Sequence, residues 1–237
     1  MKVQRLREQG SRRSWFGKRR GSPAQSLVEM ALMLTILLLI LSGLVEFGFW
    51  MLDYSNMVMS IRNAARFAVD NDHRFLRSEC HPWNAKDAVC DRLSASFDET
   101  VCNEDFYCKI SRLAEQNLER HVPSIRLDPT LGDDIVISVF TFTEGTSSVV
   151  TDRHPNPSGF WSYYGTRSSR FSNADVKNMI ASQGVTHTSA GYVLVEVYYS
   201  YKHKLGLPWL KAFVPDPLPL YAYVFMPLYS AAPTPTP

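Results

Sequence analysis

The sequence predicts an α+β protein in which one long N-terminal helix, transmembrane and then amphipathic, carries an extracytoplasmic head with an antiparallel sheet and short helices. Three observations predict it. A basic leader precedes an uncharged apolar run, a stripe at helical spacing continues that run, and two β-branched, aromatic segments lie late in the chain. The 237 residues carry 25 basic and 23 acidic side chains, and their mean hydropathy of -0.15 excludes a polytopic membrane protein. A hydrophobic share of 45% excludes a mostly disordered chain, because it suffices to build a core. Residues 1–24 sum to +7 and the rest to -5. A basic leader on an acidic body predicts no nucleic-acid partner, which would need its positive charge on the folded part.

From Met30 to Val45 sixteen residues carry no charge, with Glu29 before them and Glu46 after. At about 1.5 Å per residue they cover roughly 24 Å, short of a bilayer core of about 30 Å. Leu27 and Val28 before the run, and Phe47, Phe49, Trp50 and Leu52 after it, extend the predicted span to about 27–50. Phe47, Phe49, Trp50 and Tyr54 form the interfacial aromatic belt. Arg12, Arg13, Lys18, Arg19 and Arg20 stand just before the span, so the positive-inside rule puts the N-terminus in the cytoplasm and the head outside. A cleaved secretory signal fits less well, because Gly43 to Phe47 lacks the pair of small residues a signal peptidase needs. A plain signal anchor satisfies the same charge and length. Ser26-Leu27-Val28-Glu29 also has the form of a capping box, which would explain a carboxylate at the edge of an apolar helix.

Gln25-Ser26-Leu27-Val28-Glu29-Met30-Ala31-Leu32, the Leu/Ile run, Gly43-Leu44-Val45-Glu46-Phe47-Gly48 and Asn63-Ala64-Ala65-Arg66-Phe67-Ala68 together resemble the TadE-like pseudopilins of the tight-adherence (Flp, type IVb) pilus system. The resemblance covers roughly residues 19–70. It implies a pilin-like fold in a single-pass protein of the inner membrane, structural rather than enzymatic, with no cofactor and no metal. It also implies that a prepilin peptidase removes the leader on the cytoplasmic side. In such proteins the cut follows a Gly and the Glu is the fifth mature residue. Counting back from Glu29 places the cut between Ala24 and Gln25, with Ala24 where the family has Gly. The new ammonium on Gln25 would lie one turn from Glu29, and in assembly that carboxylate would pair with the N-terminus of a neighbour and set register. The implied partners are the lipid bilayer, the prepilin peptidase, other pilins and pseudopilins, and the inner-membrane assembly platform. The competing reading is a signal-anchored extracytoplasmic binding or adhesion module that no prepilin peptidase processes.

Beyond the span, Phe47, Trp50, Tyr54, Met57, Ile61, Ala64 and Ala68 step by three and four, with Asp53, Asn56, Ser60, Arg62, Asn63 and Arg66 off the seam. The helix is therefore expected from about Ser26 to Val69, stopping at Asp70-Asn71-Asp72, so that residues 25–70 form one element. Its stripe is expected on the chain's own head, residues 71–230, in preference to a coiled-coil partner. Cys80, Cys90, Cys102 and Cys108 lack C-x-x-C spacing, so two disulfides in one of three connectivities are preferred to a metal site.

Short helices are predicted at Asp91–Leu93 and 110–120, the latter with Leu113, Leu118 and Val122 on its apolar side. Strands are predicted at Ile135–Phe142, ended by Glu144-Gly145, at Tyr192–Tyr201 and at Leu218–Leu228. In the second of these, Val193, Val195, Val197, Tyr199 and Tyr201 share a face and Glu196 marks a partly wet one. A helix from Ala174 to Ser182, with Gly184 near its end, links the first two strands. Residues 146–172 read as a polar, aromatic loop, a surface insertion or the ligand site of the competing reading. Leu205–Val214 suits either a membrane or partner surface or the core beneath the sheet. The acidic pairs Asp70/Asp72, Glu104/Asp105 and Asp133/Asp134 read as solvated loop charge before calcium ligands. Residues 231–237 read as an unpacked Pro/Thr tail. No nucleophile, zinc or phosphate-loop motif appears, and the six histidines are scattered.

Overall fold

Pro23 opens the first helix because a first-turn position wastes no backbone donor and welcomes a fixed φ. In the computed structural model α1 runs from Pro23 to Val69 without interruption. The structure describes residues 23–77, 80, 89–121, 125–143, 149–155, 158–182 and 190–231. The basic leader up to residue 22, Val122, Glu144-Gly145, Gly184 and the tail from residue 232 lie outside them. Because the helix starts at Pro23, Ser26 and Glu29 both sit within it, and the capping box expected there is not formed.

The chain divides into two units, residues 1–43 and 44–237. The described part of the first is helix alone. Every side chain from Gln25 to Leu41 is exposed, and the apolar window has a mean hydropathy of 2.5 with none of it buried.

The second unit contains the rest of α1. There Met57, Ile61, Ala64 and Ala68 are fully buried as the stripe predicts. Phe47 and Tyr54 are exposed, however, and Glu46, Asp53, Ser60 and Ala65 occupy the seam. The stripe thus fails at Phe47 and Tyr54, while Trp50 between them packs against the core as expected. Burial of a carboxylate is tolerated where hydrogen-bond partners meet it, and residues 201–205 supply them.

That face of α1 packs with α2 (Glu99–Glu104) and α3 (Phe106–His121) over one side of a sheet. The strands are β1 (Asp134–Thr143), β2 (Val149–His154), β3 (Trp161–Ser162), β4 (Ala190–Tyr201) and β5 (Leu218–Pro227), all antiparallel to their neighbours. Their order is β2-β1-β4-β5, and β3 continues the β2 edge of β1. Strand alternation sorts the core into two faces. Ile135, Ile137, Val139, Val193, Val195, Val197, Tyr199 and Tyr201 face α1 and α3, whereas Phe140, Phe142 and Leu194 meet Val176 and Ile180 of α4 (Asn173–Ser182) on the other face.

Several expectations need correction. Asp91–Leu93 is a turn, its side-chain carboxylate accepting from the Leu93 N–H, and not a helix. Residues 146–172 are not one loop. They include β2 and β3, and Arg153 tethers the chain before and after β3 by donating to the Gly159 and Phe171 carbonyls. Glu196 is fully buried, not on a wet face, because Tyr221, Tyr198 and the Arg170 N–H all donate to it. Ala231 is 2% exposed and belongs to the packed head rather than the tail. It closes on Gly191, where a Cβ would collide with the Leu228 carbonyl and the Ala231 backbone, so only glycine admits this approach.

The structure pairs Cys80 with Cys90 and Cys102 with Cys108. These bridges clip the stretch between α1 and α3 and bury all four sulfurs in the face that covers the sheet.

Candidate functional site

Two carboxylates on α1 have opposite surroundings. Glu29 follows Ala24 and Gln25 in the opening turns of the helix, is exposed, and makes no hydrogen bond or ion pair to any described residue. Around it Leu27, Val28, Met30, Leu32 and Met33 are 60–70% exposed. An acidic group on such a face can act on something outside its own chain, and in a low-dielectric layer it would demand a cation or a proton.

Glu46 is 3% exposed and is bound on both oxygens. Oε1 accepts from the Tyr201 hydroxyl at 2.7 Å and from the Lys204 N–H at 2.8 Å, with His203 Nδ1 at 3.3 Å. Oε2 accepts from the Leu205 N–H at 2.9 Å. Two turns further on, Asp53 lies 3.5 Å from Lys204 Nζ. The chain leaving β4 is thus strapped to α1 by charge-assisted bonds, which are the strong ones among hydrogen bonds. Sequence reasoning took Glu46 only as the end of the apolar run. The available signal was the pair of acidic residues, Glu46 and Asp53, seven apart and therefore on one helical face.

Four further buried carboxylates organise the head. Asp134 folds the 162–167 turn onto the sheet. It accepts from the N–H groups of Tyr164, Thr166 and Arg167 and from the Ser162 hydroxyl. Glu115 on α3 receives Tyr163, Tyr164 and Arg92. Burial, and next the Glu115 charge, push the phenols of Tyr163 and Tyr164 well above their ordinary range, so both stay protonated donors. Glu196 gathers Tyr198 and Tyr221 in the same way. Asp105 caps α3 through the Cys108 N–H and holds the Arg77 N–H. Asp105, Asp133 and Asp134 are therefore buried structural groups, which corrects their reading as solvated charge. No group of three or more potential metal ligands occurs among the described residues.

A cleft of about 570 Å³ opens beside the end of β4, lined by Arg126, Asp128, Asp133, Ser200, Lys202 and Lys204 among others. Burial raises the Asp133 carboxyl above its usual range. Elsewhere His73, 5% exposed, lies against the ring of His154 at 5.2 Å and within reach of Ser230. Burial first, then the His154 charge, lower its pKa to about 4, so it is neutral in the folded head. These arrangements position backbone and fix orientation. The Ser230 hydroxyl beside the His73 ring itself donates to the Asn71 carbonyl.

The family model described as TadE-like protein matches residues 24–66. The match takes in Ala24, Gln25 and Glu29, the uncovered apolar run, and α1 as far as the buried Ala65. That family is a structural component of pili and not a family of enzymes. No curated protein and no solved structure matches the chain.

Proposed function

We propose that this chain, TadE-like over residues 24–66, is a minor pseudopilin-like protein that acts structurally in assembling a tight-adherence pilus or a related secretion apparatus. One observation carries the reading. The matched segment contains a long apolar stretch of helix, exposed at every residue from Gln25 to Leu41, whose single acidic residue before Glu46, Glu29, has no partner among the described residues.

In this reading the helix crosses the inner membrane once, with the leader in the cytoplasm and the head outside. A helix of 21 residues from Gln25, just past the leader, to Val45 is about 32 Å long, enough for the hydrocarbon core without the aromatic residues that follow. The span therefore ends at Val45, where Glu46 begins the polar strap. The prepilin peptidase cuts between Ala24 and Gln25, and the ammonium of Gln25 becomes available one turn from Glu29. An unpaired carboxylate in lipid costs a few kcal/mol. Pairing with the N-terminus of an adjacent subunit removes that cost only at the correct axial stagger, so Glu29 sets register as helices pack together. The assembly platform and the other pilins meet this helix, and the head selects among them.

The test is N-terminal sequencing of the membrane-extracted protein, prepared with and without the cognate peptidase. A chain that starts at Gln25 only when the peptidase is present supports the proposal. An intact leader in both samples favours the signal-anchored binding module, with Ala24 as the residue that blocks cleavage.

A further inference from the structure

The segment that follows the strap is apolar and outward-facing. Phe213 is 82% exposed and Leu205 42%, while Leu207, Trp209, Leu210 and Val214 are half-buried around the short α5 (Pro208–Lys211). Large apolar side chains exposed together on one segment usually meet an apolar phase or a partner. Two observations identify the phase.

The first is position. Leu205 and Lys204 give their backbone N–H groups to Glu46, the residue that ends the uncharged run. The segment therefore begins against the residue of α1 that directly follows the uncharged run in sequence. The second is charge. Residues 202–216 hold three lysines against one aspartate, and Lys202, Lys204 and Lys211 flank the apolar residues. Their acidic contacts are Asp128 for Lys202, Asp53 for Lys204 and Asp216 for Lys211. Lys202 and Lys211 remain 64% and 47% exposed despite these contacts, so their ammonium groups can also reach a surface. Apolar tips among lysines are the composition of an interfacial anchor for anionic lipid.

We infer that Leu205–Val214 is a membrane footing. Leu205 and Phe213 enter the boundary between headgroups and acyl chains in the leaflet on the head's side, and the flanking lysines engage anionic headgroups. The inference rests on the reading of α1 as a span and goes beyond it by giving the head a lipid contact of its own. The footing would hold the head down on the bilayer while the protein is membrane-resident, and would have to release when a subunit leaves the membrane.

The experiment uses the full chain in nanodiscs, made either of phosphatidylcholine alone or with phosphatidylglycerol added. Nitroxide labels are placed singly at Leu34→Cys, Ala212→Cys and Ser96→Cys, and accessibility to oxygen is compared with accessibility to a nickel chelate. The Leu34 and Ala212 labels should favour oxygen and the Ser96 label the chelate. The Ala212 preference should rise with phosphatidylglycerol and reverse when Phe213→Asp is added. A lipid-exposed Leu34 label beside an Ala212 label that behaves like Ser96 overturns the footing and leaves the span intact. An Ala212 label shielded from both reagents means that protein covers the segment, which also overturns it. A Leu34 label that favours the chelate removes the span and the footing together.

Discussion

The two halves of α1 show what a helix does when its own chain covers it and when it does not. From Gln25 to Leu41 every side chain is exposed, and Glu29 meets no described partner. From Glu46 onward the same helix buries Met57, Ile61, Ala64, Ala65 and Ala68 completely, and Glu46 meets four groups from residues 201–205. A continuous backbone thus carries one half committed to its own head and another available to outside partners. The difference is written in the side chains and not in any break of the helix.

The largest effect should come from exchanging the two carboxylates for alanine. Glu46→Ala leaves two backbone N–H groups and the Tyr201 hydroxyl without their acceptor, at a cost of about 3–5 kcal/mol. Denaturant unfolding followed by near-ultraviolet circular dichroism should show that loss, together with faster proteolysis near Lys211. Glu29→Ala should leave the same unfolding curve in place and abolish or strongly reduce pilus assembly. Wild-type piliation in that variant would break the proposed division of labour.

Next in size is a pair of apolar truncations. Ile61→Ala should destabilise the head by roughly 3 kcal/mol, because it opens a cavity beneath the sheet. Leu37→Ala should not move the head's midpoint, since Leu37 is exposed among the described residues. Each disulfide closes a short loop, with separations of 10 and 6 residues, and its removal by Cys→Ser pairs should cost about 2–3 kcal/mol. That cost should fall wholly on the head.

The smallest effect is a dependence on pH. His73 has a pKa of about 4 in the folded head against an ordinary value of 6.5, so the unfolded chain takes up its proton first as pH falls. Its contribution is complete above pH 6.5 and declines through the window down to about 4, amounting to about 2 kcal/mol lost between pH 7 and 4.5. Asp72, at 3.6 Å from the ring, and the neighbouring His154 and Arg74 are the charges that tune it. His73→Gln should flatten this part of the stability–pH profile, as read from urea midpoints.

Periodicity made much of this molecule readable beforehand. α1, β1, β4 and β5 carry long runs at spacing 3.6 or 2, and their extents were visible to within a few residues. β2 and β3 were not, because Asp152, Arg153 and His154 break the apolar pattern and Trp161-Ser162 is too short to show one. Their pairing with β1 depends on a sheet edge that only the folded chain provides. The misreadings of Glu46, Asp53 and Glu196 share one physical cause. A carboxylate becomes a core residue when donors arrive from far along the chain, and a local window cannot see Tyr201 beside Glu46 across 155 residues. Glu29, by contrast, is exposed and meets no described residue from far along the chain.

The beginning and end of the head also touch. The Ser230 hydroxyl donates to the Asn71 carbonyl across 159 residues, and the His73 N–H donates back to it. A polypeptide tied at both ends in this way is a topological ring. A protease that nicked the exposed turn at Gly165-Thr166-Arg167 would cut the ring once and release neither arm, because the sheet and this knot hold both. For the same reason the path from Asn71 to Ser230 could be reconnected in a different circular order without redrawing the fold, which makes the head open to permutation while α1 stays as it is.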